Sequence, residues 1–229
     1  MSDWLGLIWF LAAWIGYEPV TRLAGRRWRL VNTSMVGIRR IWMETMLSRE
    51  NRMPDVVLLG HVVHSASFFA STTVIVIAAL FGALGSIDRL QSAIETLTGT
   101  AAERPALDIK LALVLIVVVR GFLAFTWAIR QFNYAVALIG AAPPAPVEPM
   151  LRRVLGKDLG EALSLAVMAF NSGVRAYYFA LAGLTWLANP ALFVISTSAV
   201  VVLLLWRQTS SPSARLIQRV EEHQRESQS

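Results

Sequence analysis

The chain has no cysteine, and charged residues are scarce. Without cysteine, disulfide bonds, thiolate catalysis and cysteine-ligated metal sites are excluded. Asp, Glu, Lys and Arg make up only 16% of the 229 residues, and 55% are hydrophobic. A soluble domain usually carries about 25% charged residues. This deficit of charge favours a membrane protein over a soluble one.

Charge is missing altogether from one long stretch, residues 56–87. Its 32 residues include no Asp, Glu, Lys or Arg. The hydrocarbon core of a bilayer is about 30 Å thick, and a helix of about 20 residues crosses it. The stretch is therefore long enough to span a membrane, and the other apolar segments are expected to pack beside it.

Lysine is also rare, because 19 of the 21 basic residues are arginine, and the net charge is +6. A basic chain can indicate a nucleic-acid partner. Here the arginines cluster beside the apolar segments, and no groove-reading motif or folded soluble module is recognisable. Nucleic-acid binding is therefore not predicted. Nor does the N-terminus show the basic region and cleavage site of a signal peptide, so we expect it to be retained as a first span.

The apolar pattern predicts an all-α, polytopic transmembrane bundle of about five spans within a single domain, residues 1–206. Pro19 is expected to end the first span, and Asn189-Pro190 to form a tight hairpin with Pro190 opening the last helix. The final two spans could instead form a partly re-entrant unit. The remaining residues, 207–229, are predicted to be a polar cytoplasmic tail, frayed or forming a short surface helix. The predicted spans are about 4–20, 56–87, 106–139, 161–188 and 190–206.

The segment 21–54 carries eight arginines and predicts an amphipathic helix beginning after a cap at residues 32–34. Such a helix would lie in the membrane interface with its arginines toward lipid phosphates. A solvated connecting helix is the alternative. The candidate contacts with lipid headgroups are Arg26, Arg27, Arg29, Arg39 and Arg40.

The arginine distribution also predicts orientation. Loops 21–54 and 141–160 and the tail hold eight, three and four basic residues, whereas loop 88–105 holds two against three acids. Five spans place the three basic segments on one side. The positive-inside rule makes that side cytoplasmic and the N-terminus external.

Four stretches of the chain together resemble the sequence of a known family. They are WMETMLSRENRMPD at 42–55, SFFASTTVI at 67–75, FTWAIRQFNYAVALIGAAP at 125–143 and FNSGVRAYYFALAGLTWLANP at 170–190. In this order they resemble a family of bacterial and plant membrane proteins catalogued as a domain of unknown function, family five-nine-nine. The resemblance implies an integral membrane protein of a bacterial inner (plasma) membrane. It carries over no activity and no catalytic residues.

Ionisable groups inside the predicted spans are the candidate functional residues. A charged group within a bilayer is energetically costly and usually faces a bundle interior or a water-filled cavity. Helical spacing places polar groups of the second, third and fourth spans on inward faces. Alternatively, Arg175 could clamp backbone carbonyls or a hydroxyl of the second span, and the histidines could simply be packed. The predicted cluster contains His61, His64, Ser65, Arg120, Asn171, Arg175 and Glu161, with Glu18 as a further candidate.

Because positive charge exceeds negative charge in this cluster, the sequence predicts a site for a small anion. A channel or transporter with a basic, histidine-containing site is the leading hypothesis, and histidine titration would make it pH-dependent. The competing hypothesis is a non-transporting protein that binds anionic lipid or scaffolds partners through its arginine-rich segment. Because one protomer is thin-walled, a homo-oligomer is expected.

A metal site or an enzymatic function is less favoured by the sequence than anion transport. His61 and His64 with Glu161 could offer metal ligands, but the nearby arginines oppose a cation. No glycine-rich phosphate loop or nucleophile elbow is present. We therefore predict no metal site, no cofactor and no enzymatic activity.

Overall fold

The computed structural model describes residues 3–25, 30–98 and 104–226, and within these ranges all regular secondary structure is α-helical. This confirms the all-α prediction. The helices are α1 (Asp3–Ala24), α2 (Val31–Ser48), α3 (Met53–Gly85), α4 (Ile87–Thr98), α5 (Arg104–Gly140), α6 (Pro149–Ala188), α7 (Pro190–Thr209) and α8 (Pro212–Glu226).

Three stretches of the described chain are long and apolar enough to cross a membrane: Met53–Gly85, Ala106–Gly140 and Pro190–His223. In the last of these, α7 supplies the apolar part. Helices α1 and α6 are not in this group. The three apolar helices indicate a membrane protein, and the count of about five spans stays a prediction.

Local sequence signals placed some helix ends correctly and others wrongly. Asn189 separates α6 from α7, and its side chain accepts a hydrogen bond from the Ala191 N–H at 2.7 Å, so the predicted hairpin is confirmed. Pro19 does not end the first helix, because α1 continues through it to Ala24. Residues 32–34 do not cap α2, which begins earlier, after Leu30.

Segments predicted as connections are helical, including α4 in the connection 88–105, and the tail forms the helix that was one of its two predicted alternatives. Helix α6 begins at Pro149, twelve residues before the predicted fourth span, because the Glu148 carboxylate accepts hydrogen bonds from the Met150 and Leu151 N–H groups at 3.0 and 2.9 Å. The predicted tail forms α8, which packs on α2 and buries Ala214 and Glu221.

The chain divides into two compact units. The first comprises residues 1–22, 70–123 and 172–204, and the second comprises residues 23–69, 124–171 and 205–229. The core of the first unit is rich in aromatic rings. Phe10 of α1 contacts Phe179 of α6 edge-on and Phe193 of α7, and Trp186 stacks on Phe193 with ring centroids 4.7 Å apart.

The core of the second unit is built around a close approach of α2 to α6. Met43, Met46 and Leu47 of α2 are fully buried there. Gly156 and Gly160 of α6 lie against the α2 backbone, and a Cβ atom added at Gly160 would be 2.6 Å from the Arg40 Cα. Two small residues four positions apart are the pattern that allows helix backbones to approach closely.

Candidate functional site

One pocket of the first unit contains the predicted site residues Arg120 and Arg175 together with the further candidate Glu18. We call it the arginine pocket. Its volume is about 270 Å³, and helices α1, α5 and α6 form its walls. The lining residues are Trp14, Ile15, Glu18, Arg120, Ser172, Arg175 and Ala176.

A close helix contact explains why Arg120 and Arg175 reach the same pocket. The residues that follow them, Gly121 and Ala176, face each other across α5 and α6. A Cβ atom added at Gly121 would lie 2.9 Å from the Ala176 Cβ. The absence of a side chain at Gly121 therefore lets the two backbones approach, which brings the neighbouring arginines to one cavity.

Glu18 is the carboxylate of the arginine pocket, and two arginines hold it. Arg175 donates a hydrogen bond from Nη2 to Glu18 Oε2 at 2.8 Å, and Arg22 donates to Oε1 at 2.6 Å. Arg175 is only 16% exposed and also lies 5.8 Å from the centroid of the Tyr17 ring. Its partner is thus a carboxylate of α1, not the backbone carbonyl or second-span hydroxyl that the sequence suggested as alternatives.

Arg120 differs from Arg175 in having no ion-pair or hydrogen-bond partner among the described residues. It is exposed, and the one carboxylate of the pocket lining is already held by Arg175 and Arg22. A guanidinium presents five N–H donors in a planar fork that suits carboxylate and phosphate groups. The pocket lining therefore has an excess positive charge and an unused set of donors.

The other predicted site residues belong to the second unit. His61, Ser65 and Glu161 are exposed, and Asn171 is half-buried. Ser65 donates its hydroxyl hydrogen to the His61 carbonyl within the same helix. Because the predicted cluster draws on both units, its assembly into one site stays a prediction.

His64 lines a different cavity, which we call the α3–α5 groove. Its volume is about 680 Å³, and its two walls come from α3 and α5. The lining residues are Arg52, Val56, Leu59, Gly60, Val63, His64, Ser67, Asn133, Val136, Ile139 and Gly140.

The metal alternative finds no support in the described ranges. No group of three or more His, Asp or Glu side chains in those ranges could hold a metal ion, so His61, His64 and Glu161 do not form such a set.

The predicted lipid-headgroup residues fall into two sets. Arg26, Arg27 and Arg29 lie outside the described residues. Arg39 donates to the Ser164 hydroxyl at 3.4 Å, and Arg40 pairs with Glu44 at 3.1 Å. Burial lowers the pKa of Arg39 to about 10, so it remains protonated at neutral pH.

A polar cluster that the sequence analysis did not single out lies where α2 leads into α3. The Asp55 carboxylate is fully buried. It accepts hydrogen bonds from Arg49 Nη1 at 2.6 and 2.9 Å and from Trp42 Nε1 at 2.7 Å. Beside it, Arg52 donates to the carbonyl oxygens of Ala142 and Pro143. Trp42, Arg49 and Asp55, which we call the Asp55 cluster, all fall within residues 42–55, as does Arg52. These residues form one of the four stretches that carry the family resemblance, and that resemblance was the signal in the sequence that could have indicated the cluster.

The regular structure of the described residues is helical and includes three helices able to cross a bilayer, which fits the class of integral membrane proteins. The chain belongs to the family described as "Protein of unknown function, DUF599", whose pattern matches residues 5–213. The resemblance found in the sequence is therefore confirmed over nearly the whole chain. No curated protein and no solved structure matches it.

Proposed function

We propose that this protein is a multi-pass channel or transporter of a bacterial inner membrane that handles a small anion at the arginine pocket. It would cross the membrane about five times, with the N-terminus external and the C-terminus cytoplasmic. The family assigns no activity, so the proposal rests on the chemistry of the pocket.

The observation that carries the proposal is the contrast between Arg120 and Glu18. Glu18 is held by Arg175 and Arg22, whereas Arg120 has no partner among the described residues and borders the same cavity. A charge in a membrane protein is retained against a large desolvation penalty, and an anion would offset that penalty at Arg120. Charge-assisted hydrogen bonds from a guanidinium to an anion are strong and orienting.

The proposal extends to the polar residues predicted alongside the two arginines. His61, His64, Ser65, Asn171 and Glu161 would border the pathway of the anion, and flux would depend on pH. A homo-oligomer would supply the walls that one protomer lacks.

Binding of lipid through the arginine-rich segment is the alternative function. Within the described part of that segment, Arg39 and Arg40 have partners in the same chain, Ser164 and Glu44. The surroundings of Arg39 and Arg40 therefore do not favour this alternative over the arginine pocket.

The test is anion flux into liposomes that contain the purified protein, measured separately with chloride, phosphate and acetate between pH about 5.5 and about 8. We expect Arg120→Gln to reduce flux about tenfold or more, because losing one charge-assisted contact of about 1.5–3 kcal/mol changes an equilibrium by that order. Arg130→Gln is the matched control: Arg130 lies on the same helix, is exposed, bonds to the Tyr134 hydroxyl and is outside the pocket lining.

Two results would overturn the proposal. The first is absence of flux for all three anions from folded wild-type protein. The second is flux that Arg120→Gln and Arg130→Gln leave equally unchanged, which would retain transport but remove the arginine pocket from it.

A further inference from the structure

The α3–α5 groove of the second unit has a one-sided distribution of charge. Of its lining residues only Arg52 carries a fixed charge, and it lies at the end where α3 begins. The middle of the groove is apolar, formed by Val56, Leu59 and Val63 on α3 and by Val136 and Ile139 on α5. Its volume of about 680 Å³ falls within the range typical of ligand cavities, ~300–1,000 Å³.

Among the described residues that line this groove, none is acidic, so none opposes Arg52 there. The neighbouring carboxylate, Asp55, is fully buried and held by Arg49 and Trp42. Arg52 itself is fixed by three backbone carbonyl oxygens, those of Ala142 and Leu47 at 3.4 Å and that of Pro143 at 2.6 Å. Carbonyl oxygens do not neutralise a guanidinium, and its five donors exceed these contacts. The end of the groove is therefore electropositive.

Glycines shape both walls of the groove. A Cβ atom added at Gly60 of α3 or at Gly140 of α5 would meet nothing within 4 Å. These residues are therefore not needed for close helix packing within the chain, unlike Gly156 and Gly160. Their absent side chains leave open space, which contributes to the volume of the groove.

Helix α3 also leaves most of its apolar surface uncovered. Only 6% of its most apolar stretch is buried, compared with 39% for the corresponding stretch of α5. In a membrane protein such surface contacts hydrocarbon. An occupant of the groove therefore needs an apolar body along α3 and an anionic group at Arg52.

We propose that the α3–α5 groove binds an anionic phospholipid, with the phosphate at Arg52 and an acyl chain along Val56, Leu59 and Val63. Ser67 lies fifteen positions after Arg52, which corresponds to a rise of roughly 22 Å along a helix. This exceeds the ~15 Å depth of hydrocarbon in one leaflet, half of a ~30 Å core. One acyl chain of the leaflet that begins at Arg52 therefore fits along the groove.

The test compares two leucine variants of the same helix. Gly60→Leu fills the groove, whereas Gly82→Leu adds the same side chain to α3 outside it, and an added Cβ meets nothing within 4 Å at either position. Leucine also favours a helix more than glycine does, so both variants are expected to fold. The protein is purified from membranes of phosphatidylglycerol and phosphatidylcholine, and retained lipid is counted by native mass spectrometry.

We expect wild type and Gly82→Leu to retain phosphatidylglycerol in preference to phosphatidylcholine. Gly60→Leu should retain about tenfold less, corresponding to about 1.4 kcal/mol. Gly140→Leu, in the opposite wall, should act in the same direction. Equal retention by Gly60→Leu and Gly82→Leu would overturn the groove as the site, and equal retention of the two lipids by wild type would overturn its preference for an anion.

A second comparison addresses the headgroup. Arg52→Gln should lose the preference for phosphatidylglycerol, whereas Arg52→Lys should keep it, because lysine restores the charge without the planar geometry. Loss in both variants with an unchanged melting temperature would contradict a charge-based role. Arg120→Gln should retain lipid like wild type, so failure of the anion pathway and failure of this site can be told apart.

Discussion

The arginine pocket of the first unit and the Asp55 cluster of the second unit satisfy a carboxylate in opposite ways. Glu18 and Arg175 are 157 residues apart, whereas Asp55 lies six residues from Arg49 and thirteen from Trp42. Asp55 is completely buried, but Glu18 remains 33% exposed. The long-range pair borders an open cavity, and the short-range cluster is closed.

This difference separates two uses of buried charge. In the Asp55 cluster, both carboxylate oxygens are used and Trp42 covers the group, so we assign it to stability. In the arginine pocket, one guanidinium is used and another, Arg120, has no partner among the described residues. A satisfied network contributes to the fold, whereas an unsatisfied donor beside a cavity is available to a ligand.

The largest expected loss of stability comes from replacing a glycine at a close helix contact, and the two units differ in this respect. Gly160→Ala in the second unit would place a Cβ 2.6 and 2.8 Å from backbone atoms of Arg40, whereas Gly121→Ala in the first would meet the Ala176 side chain at 2.9 Å. Backbone cannot yield as a side chain can, so we expect Gly160→Ala to destabilise by about 3 kcal/mol and Gly121→Ala by about 1. Thermal unfolding in detergent measures both, with Gly82→Ala as control. Equal losses at Gly160 and Gly82 would contradict the close packing of α2 on α6.

The next largest loss of stability is expected in the Asp55 cluster. Asp55→Asn removes the charge that Arg49 and Trp42 bind, and we expect a loss of about 2 kcal/mol in the free energy of unfolding, with anion flux unchanged. Arg49 is 44% exposed, so it can turn to solvent, which limits the loss. Glu50→Gln, an exposed neighbour, serves as the control. A loss of flux without loss of stability would show that the cluster is part of the pathway.

Replacing Glu18 is expected to affect stability less than Asp55→Asn does, but to affect anion binding more. Glu18→Gln removes two ion pairs that are partly exposed, so we expect a loss of only about 1 kcal/mol. The same change frees Arg175 and should raise anion affinity in the arginine pocket, measured by flux at low anion concentration. A fall in affinity as large as that of Arg120→Gln would instead assign Glu18 a direct role in holding the ligand site.

The smallest effect lies at the start of α6. The N–H groups of Met150 and Leu151 lower the pKa of Glu148 below its ordinary value. The capping contribution is therefore present above the unfolded pKa of about 4.3 and is lost as the pH falls through the folded pKa. Glu148→Gln should increase hydrogen exchange in the first turn of α6 at neutral pH and leave it unchanged at strongly acidic pH. An unchanged rate at neutral pH would contradict the cap.

Features encoded by neighbouring residues were predicted with mixed success. The Asn189-Pro190 boundary depends on a local cap and on the fixed backbone of proline, and it is confirmed. Pro19 was predicted wrongly, because an isolated proline rule does not include the surroundings that keep α1 helical to Ala24. Helix α6 begins earlier than predicted because the Glu148 carboxylate caps its first turn, and the prediction did not include this cap.

Features that depend on distant residues were predicted only in part. Helical spacing indicated that Arg120 and Arg175 face inward, and both line the arginine pocket. Glu18 was a further candidate for the same cluster, but its pairing with Arg175 joins two helices whose packing no periodicity specifies, so the pairing was not predicted. The glycine contacts of α2 with α6 needed the same information, although the spacing of Gly156 and Gly160 was visible.

The length of α6 has a consequence for the surroundings of its first half. Forty residues of helix rise about 60 Å, twice the ~30 Å thickness of the hydrocarbon core. If its second half, in which Arg175 is the one charged residue, crosses the membrane, the half containing Gly156 and Gly160 must emerge into water. Lipid offers no hydrophobic drive for helix association, whereas water does. The close contact with α2, and the burial of Met43 and Met46 beside it, would then be driven in the same way as the core of a soluble protein.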